Sequence, residues 1–412
     1  LKELNRSAAA RLAACLGLVA CTHTTTSISA ATPTPPEAAW PREAPPPVAK
    51  AGDAGSGQLT IIATGDILMQ ETVKAAAAAA DIRAPDGGSL NHGGFDVLFA
   101  EVAPLFARPD ALAFGNLESP IAPLSDAGVR PFVFDGPPEV LDALQSIGFL
   151  VLSCANNHAY DQGTGGLVET VAHVRTAGLL PVGAGADHAS ARAPLIVERN
   201  GLRLGFLAYA TRLNENLNTS KEQQPEVNFV EPGPEPGRME QDVHELAGRV
   251  DAVIVAIHWG VEYADAPEAA QTALAHRLVN AGALVLLGSH PHVLQRVERY
   301  GKNHSLIAYS LGNFVSNQSR HYLLDSDPPS EGDPRDGIAL AVTLGRTAAG
   351  VRIVAASYRP IWTENNGKEH EGDAGVPPII RLVRTETLPE VWKVREPRYR
   401  LRIGTAVNLG GE

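Results

Sequence analysis

Acids, amides and imidazoles in this chain fall at the ends of short apolar runs. Residues 59–63 end in Thr64-Gly65-Asp66, 111–114 lead into Gly115-Asn116-Leu117-Glu118, and 149–153 are followed by Asn156-Asn157-His158, with Asp161 three positions on. Residues 253–257 end in His258-Trp259-Gly260, and 284–287 run into Gly288-Ser289-His290-Pro291-His292. In α/β folds, functional groups gather at the carboxyl ends of strands, so these segments predict one shared rim. Pro291 stiffens the turn that carries His290 and His292. Together with His258 they offer imidazoles suited to a first-row divalent ion, to which Asp66 or Glu118 would add a hard anionic ligand. Singly, each has a structural alternative: Asp66 as a helix cap, Asn156 or Asn157 in an Asx turn, His158 as a satisfied loop histidine. Their convergence is what predicts metal chemistry.

The elements that must position these groups alternate in type. Helix-like stretches at 95–106, 139–147, 167–177, 239–248 and 268–281 separate the apolar strands, a pattern that predicts a sheet covered on its faces. Later segments read as hairpins: 195–199 with 202–209 across Asn200-Gly201, 293–310 around Gly301-Lys302-Asn303, and 338–344 with 351–358 across 345–350. The expected fold is therefore α/β, a sandwich of two mixed sheets flanked by helices. Two polar excursions, 214–237 and 316–337, are long enough to form walls or lids of a site, and His321 lies in the second.

Composition narrows the function classes. The 412 residues are 44% hydrophobic and include 39 glycines and 31 prolines, which excludes a wholly disordered chain and argues against a helical bundle. A formal charge of −12 without a long basic run excludes nucleic acid as a natural partner. An anionic substrate would have to be held by a local positive centre, such as a metal or a helix N-terminus.

The amino-terminal segment reads as an address. Lys2, Arg6 and Arg11 precede an apolar stretch at 12–20 that is too short to span a bilayer, and Leu18-Val19-Ala20-Cys21 resembles a lipoprotein cleavage box. Residues 1–20 are expected to be a signal peptide, and Cys21 the lipidated residue of an exported envelope protein anchored to a membrane. Residues 21–57, rich in Pro, Thr and Ala, read as a disordered tether. Residues 58–365 are expected to form the folded domain, with 366–412 an extension packed on it. With Cys15 inside the expected signal peptide, Cys154 is the one remaining thiol and reads as a buried structural residue.

The chain resembles the CapA family of capsule and poly-γ-glutamate synthesis proteins. The resemblance rests on Thr64-Gly65-Asp66-Ile67-Leu68, Gly115-Asn116-Leu117-Glu118, Asn156-Asn157-His158-Ala159-Tyr160-Asp161-Gln162-Gly163, His258-Trp259-Gly260, 288–295 and Tyr309-Ser310-Leu311-Gly312-Asn313-Phe314, in family order over about residues 58–317. That family is related to calcineurin-like metallophosphoesterases, which implies a four-layer αββα sandwich and one or two divalent ions (Mn, Zn, Fe or Mg). The resemblance makes Asp66, Asn157, His258, His290 and His292 metal ligands and His158 the acid that protonates a leaving group, with Asp161 orienting it. Two positions depart from the phosphoesterase pattern. Leu68 replaces a histidine, and Asn116 replaces the bridging aspartate with Glu118 two residues on, so both Asn116 and Glu118 enter the expected ligand set. Ser310 and Asn313 are expected to meet substrate. The implied activity is a metal-dependent hydrolase or transferase in capsule or poly-γ-glutamate synthesis, acting on an anionic polymer or an envelope glycan or peptide within a capsule-synthesis complex. The alternative is a non-catalytic polymer-binding or scaffold component.

Overall fold

The computed structural model describes residues 57–123, 131–219, 221–365, 367–368 and 379–410. The segment expected to be a signal peptide, Cys21 and the expected tether up to residue 56 lie outside the described residues. Runs of β-branched and aliphatic residues bounded by turns form the strands in chain order: β1 (Gln58–Ile67), β2 (Ala111–Leu117), β3 (Phe149–Ser153), β4 (Leu180–Val182), β5 (Ala184–Gly185), β6 (Leu195–Arg199), β7 (Leu202–Ala210), β8 (Glu226–Val227) and β9 (Ala252–His258). The second half adds β10 (Ala283–Ser289), β11 (Val297–Tyr300), β12 (Ser305–Ala308), β13 (Asn313–Val315), β14 (Asp336–Thr347), β15 (Gly350–Asn365), β16 (Ile380–Arg384) and β17 (Asn408–Leu409).

These strands build two large sheets. The first runs β16-β15-β14-β1-β2-β3-β4, with β13 beside β1 and β17 beside β15. Strands β1 to β4 are parallel, while β14 to β16 pair antiparallel. The second runs β11-β12-β10-β9-β7-β6 and is parallel from β12 to β7. Side chains alternate across the second sheet. Phe206, Ile254 and Leu287 face the first sheet, and Phe206 stacks on Phe114 with ring centroids 6.4 Å apart. Leu207, Val255 and Leu286 face outward against Met239, Val243, Leu274 and Leu278 of the helices Arg238–Ala247 and Ala269–Ala281. Helices Glu71–Ala80, Glu139–Ser146 and Gly163–Thr176 accompany the parallel half of the first sheet, completing the sandwich of two mixed sheets flanked by helices that the pattern predicted.

Several local expectations change. The five strands do not share a sheet: β1, β2 and β3 belong to one and β9 and β10 to the other. The stretch 95–106 is not one helix but two, Phe95–Phe99 and Ala103–Phe106, because Pro104 fits only a first turn. The last hairpin turns in two residues, Ala348-Ala349, since pairing continues to Thr347 and Gly350. Residues 379–410, read from sequence as an extension, supply β16 to the main sheet and a helix, Pro389–Ile403, whose Arg395 is fully buried.

Candidate metal centre

The rim is built where strand backbones touch. A Cβ on Gly65 would fall 1.8 Å from the Gly312 carbonyl oxygen, and one on Gly288 would fall 2.0 Å from that of Tyr309. Only glycine allows these approaches, and each sits immediately before the site's segment. The His290-Pro291-His292 turn carries positive φ at both histidines, 96° and 57°. Such backbone is costly for a residue with a Cβ and persists only where its surroundings hold it, commonly at functional sites. Here the His290 N–H donates to Asp66 Oδ2 at 3.1 Å, so the strained turn of one sheet is tied to the first strand of the other.

Asp66, Asn116, Glu118, Asn157, His258, His290 and His292 are all buried on this rim. Their ligand atoms form two overlapping sets, Asp66 with Glu118 and His258, and Glu118 with His290 and His292, each within 4.8 Å. Glu118 belongs to both. Its Oε1 lies 3.5 Å from His258 Nε2 and 3.7 Å from His292 Nε2. Asp66 Oδ2 lies 3.2 Å from His292 Nδ1, and Asn157 Oδ1 lies 2.8 Å from His258 Nε2. Asn116 donates from Nδ2 to Asp66 Oδ1 at 2.8 Å, and its own Oδ1 has no protein partner.

Both carboxylate oxygens of Glu118 and both ring nitrogens of His290 are buried with no hydrogen-bond partner in the protein. Leaving such groups unpaired costs roughly 1–3 kcal/mol each, which native structures avoid unless the atoms serve something else. Burial, reinforced by Asp66, pushes the Glu118 carboxyl well above its ordinary range. Burial, with His290 and His292 alongside, holds His258 well below its ordinary value, and burial likewise takes His290 down to about 4. The His258 and His290 imidazoles are therefore neutral, the form that ligates, and a divalent ion would claim the Glu118 oxygens as a carboxylate. Nitrogen and oxygen donors in overlapping sets fit one or two such ions.

A second unit lies beside the ligands. His158 Nδ1 is 2.8 Å from Asp161 Oδ2, which also accepts the Phe134 N–H at 2.7 Å, and the Phe134 ring lies 4.4 Å from the imidazole. Asp161 thus fixes the ring through Nδ1 and leaves Nε2 with only a long, 3.5 Å approach from Asn214 Nδ2. Asn214 also receives the Asn157 amide at 3.1 Å. Asn156 takes the turn role: its Oδ1 accepts the His158 N–H, and its Nδ2 donates to the Leu117 carbonyl.

Ser310 and Asn313, expected to meet substrate, hydrogen-bond within the protein. Both are fully buried, and Asn313 binds His292 Nδ1 at 3.1 Å through Oδ1, while its Nδ2 meets Gln318 Oε1 and the Pro334 carbonyl at 2.9 Å. Asn313 thus contacts the His292 imidazole, and Ser310 accepts the Gly312 N–H. Leu68 is buried and offers no donor at its position. Sequence reasoning missed Asn214, Phe134 and Ser289, whose Oγ lies 3.0 Å from His258 Nδ1; Ser289 alone had a signal, its place beside His290. The 316–337 excursion lines a cavity of about 540 Å³ with Gln70, Phe132, Arg320, His321 and Glu331.

Comparison with known proteins bears on this rim. The chain is 32% identical over 266 residues to the capsule biosynthesis protein CapA of Bacillus anthracis, covering 63% of this chain and 60% of that one. It is 32% identical over 228 residues to the PGA biosynthesis protein CapA of Bacillus subtilis, covering 55% and 58%. The chain thus spans about 60% of the length of these relatives. Among solved structures it is similar to a novel phosphatase from Mycoplasma pneumoniae, with TM-score 0.42 and 14% identity over 74% of this chain and 93% of that one. It is also similar to the calcineurin-like phosphoesterase YfkN from Bacillus subtilis, with TM-score 0.41 and 12% identity over 83% and 97%. The model of one family matches residues 60–318, a span that encloses the whole rim from Asp66 to Asn313. The chain therefore belongs to the bacterial capsule synthesis protein PGA_cap family.

Proposed function

We propose that this protein is a metal-dependent hydrolase or transferase acting on an anionic polymer in capsule or poly-γ-glutamate synthesis, exported and held at a membrane by lipid on Cys21. The observation that carries the catalytic part is Glu118, a buried carboxylate with both oxygens unpartnered and shared by two ligand sets. Asp66, Asn157 and His258 with Glu118 would hold one ion, and Glu118 with His290 and His292 a second. A bound divalent ion would polarise the oxygen of the scissile bond and lower the pKa of water. The protein's own residues supply the rest. Asp161 fixes His158 through Nδ1, so that Nε2 can donate its proton to a leaving group. Asn214 and Phe134 restrain the ring, and the strained 290–292 turn fixes the direction of both imidazoles.

A non-catalytic polymer-binding role is favoured by the two departures, the buried Leu68 where phosphoesterases carry a histidine and Asn116 where they carry the bridging aspartate. Purified protein separates the two. The catalytic reading expects bound Mn, Zn, Fe or Mg by elemental analysis and turnover of a nitrophenyl phosphoester, lost in His158→Ala. Metal without turnover, together with polymer binding that survives His158→Ala, would favour the scaffold. A protein that neither holds nor is rescued by divalent metal would sink the metal reading.

A further inference from the structure

The segment that follows β7 is fastened at both ends to the rim. The Thr211 N–H and hydroxyl both donate to the His258 carbonyl, at 3.0 and 3.2 Å, and the Asn214 N–H donates to the Asn157 carbonyl at 3.1 Å. Arg212 stands between these anchors, exposed, with neither an ion pair nor a hydrogen bond among the described residues. Many arginines elsewhere are differently placed: Arg192 binds Glu226, and Arg395, Arg398 and Arg402 bind Asp333. A cation beside a site for divalent cations adds repulsion. An anion seated between the two centres converts that repulsion into attraction on both sides, and a guanidinium fork matches a carboxylate's two oxygens.

We propose that Arg212 is the specificity residue of this site, gripping a carboxylate of an acidic polymer chain while the rim holds the bond to be broken. The inference rests on the proposed anionic-polymer substrate and adds the residue that reads its charge. The Arg212 backbone is held beside the rim by a segment that cannot move without breaking its bonds to His258 and Asn157. Recognition is thereby coupled to the position of two ligands.

The test is binding of a fluorescently labelled γ-linked glutamate decamer to the full chain, followed by anisotropy, with the neutral γ-linked glutamine decamer as comparison. Metal content is measured alongside. Wild type should bind the acidic decamer and not the neutral one. Arg212→Gln should weaken that binding roughly tenfold, the share of one charge-assisted hydrogen-bonded pair, and keep its full metal content. Arg249→Gln removes an equal charge beyond the opposite end of β9 and should leave binding unchanged. Unchanged affinity in Arg212→Gln, an equal loss in Arg249→Gln, or a wild type that binds neither peptide would overturn the inference. Binding that depends on Arg212 in a protein that holds no metal would uphold it and sink the metal reading alone.

Discussion

Two clusters of buried charge in this protein are built on opposite plans. Under the Pro389–Ile403 helix, Arg395 is fully buried, yet its guanidinium reaches Asp333 at 2.7 Å and Asp336 at 3.1 Å and lies 5.3 Å from the Trp362 ring. Arg398 and Arg402 add further bonds to Asp333. Asp333, Asp336 and Arg395 answer one another, and the cluster pins the helix to the segment Pro329–Arg335. On the rim, Glu118 and His290 are as deeply buried, but their carboxylate oxygens and ring nitrogens make no hydrogen bond within the protein. Burial of charge is common to both; satisfaction is not. A self-satisfied cluster is a strut, whereas one left open by its own fold is shaped for a ligand.

The contrast can be broken from either side. The largest effect is expected at the strut: Arg395→Ala leaves two buried carboxylates without their main counter-charge and should cost about 3–5 kcal/mol of stability in denaturant unfolding. Metal bound per folded molecule should not change; a loss of metal would show that the two clusters are not independent. On the rim, His158→Ala should retain metal while turnover falls by ~10²–10⁴-fold, the usual share of a positioned acid. If its metal loss equalled that of His290→Ala, His158 would be a ligand and its acid role would go. Asp161→Asn, which only steadies the ring, should lower turnover by roughly tenfold. The smallest effect concerns a buried group of neither kind. Burial pushes the Cys154 thiol up to about 12, so peptide mapping after iodoacetamide at about pH 8 should find it unmodified in the folded protein. Rapid modification would mean that the core around β3 opens.

Much of the rim was legible because strand and helix alternate, which places successive strand ends together whatever the details between them. Asp66, Asn157, His258, His290 and His292 stood out for that reason. The standing of Glu118 was harder to read. Asn116 near the end of β2 and Glu118 just past it are two apart, so the strand pattern admits either; the register that pairs Asn116 with Asp66 leaves Glu118 as the residue common to both sets. Asn214 was hidden because it meets the site from a loop with no periodic signal. The helix Pro389–Ile403 escaped notice because its buried face includes Arg395 and Arg402 and it contains Pro397, so no apolar stripe marks it. The alanine run of Glu71–Ala80 likewise contrasts too weakly between faces to declare a buried side.

The central claim is that Glu118 is shared between two ligand sets. Elemental analysis after dialysis against Mn²⁺ or Zn²⁺, comparing wild type with Glu118→Gln, tests it most directly. The substitution keeps the side chain's shape and removes its charge, so circular dichroism should show the same fold. The account predicts that wild type retains divalent metal and that Glu118→Gln loses it from both positions together. A Glu118→Gln protein that keeps its full metal content would contradict the claim.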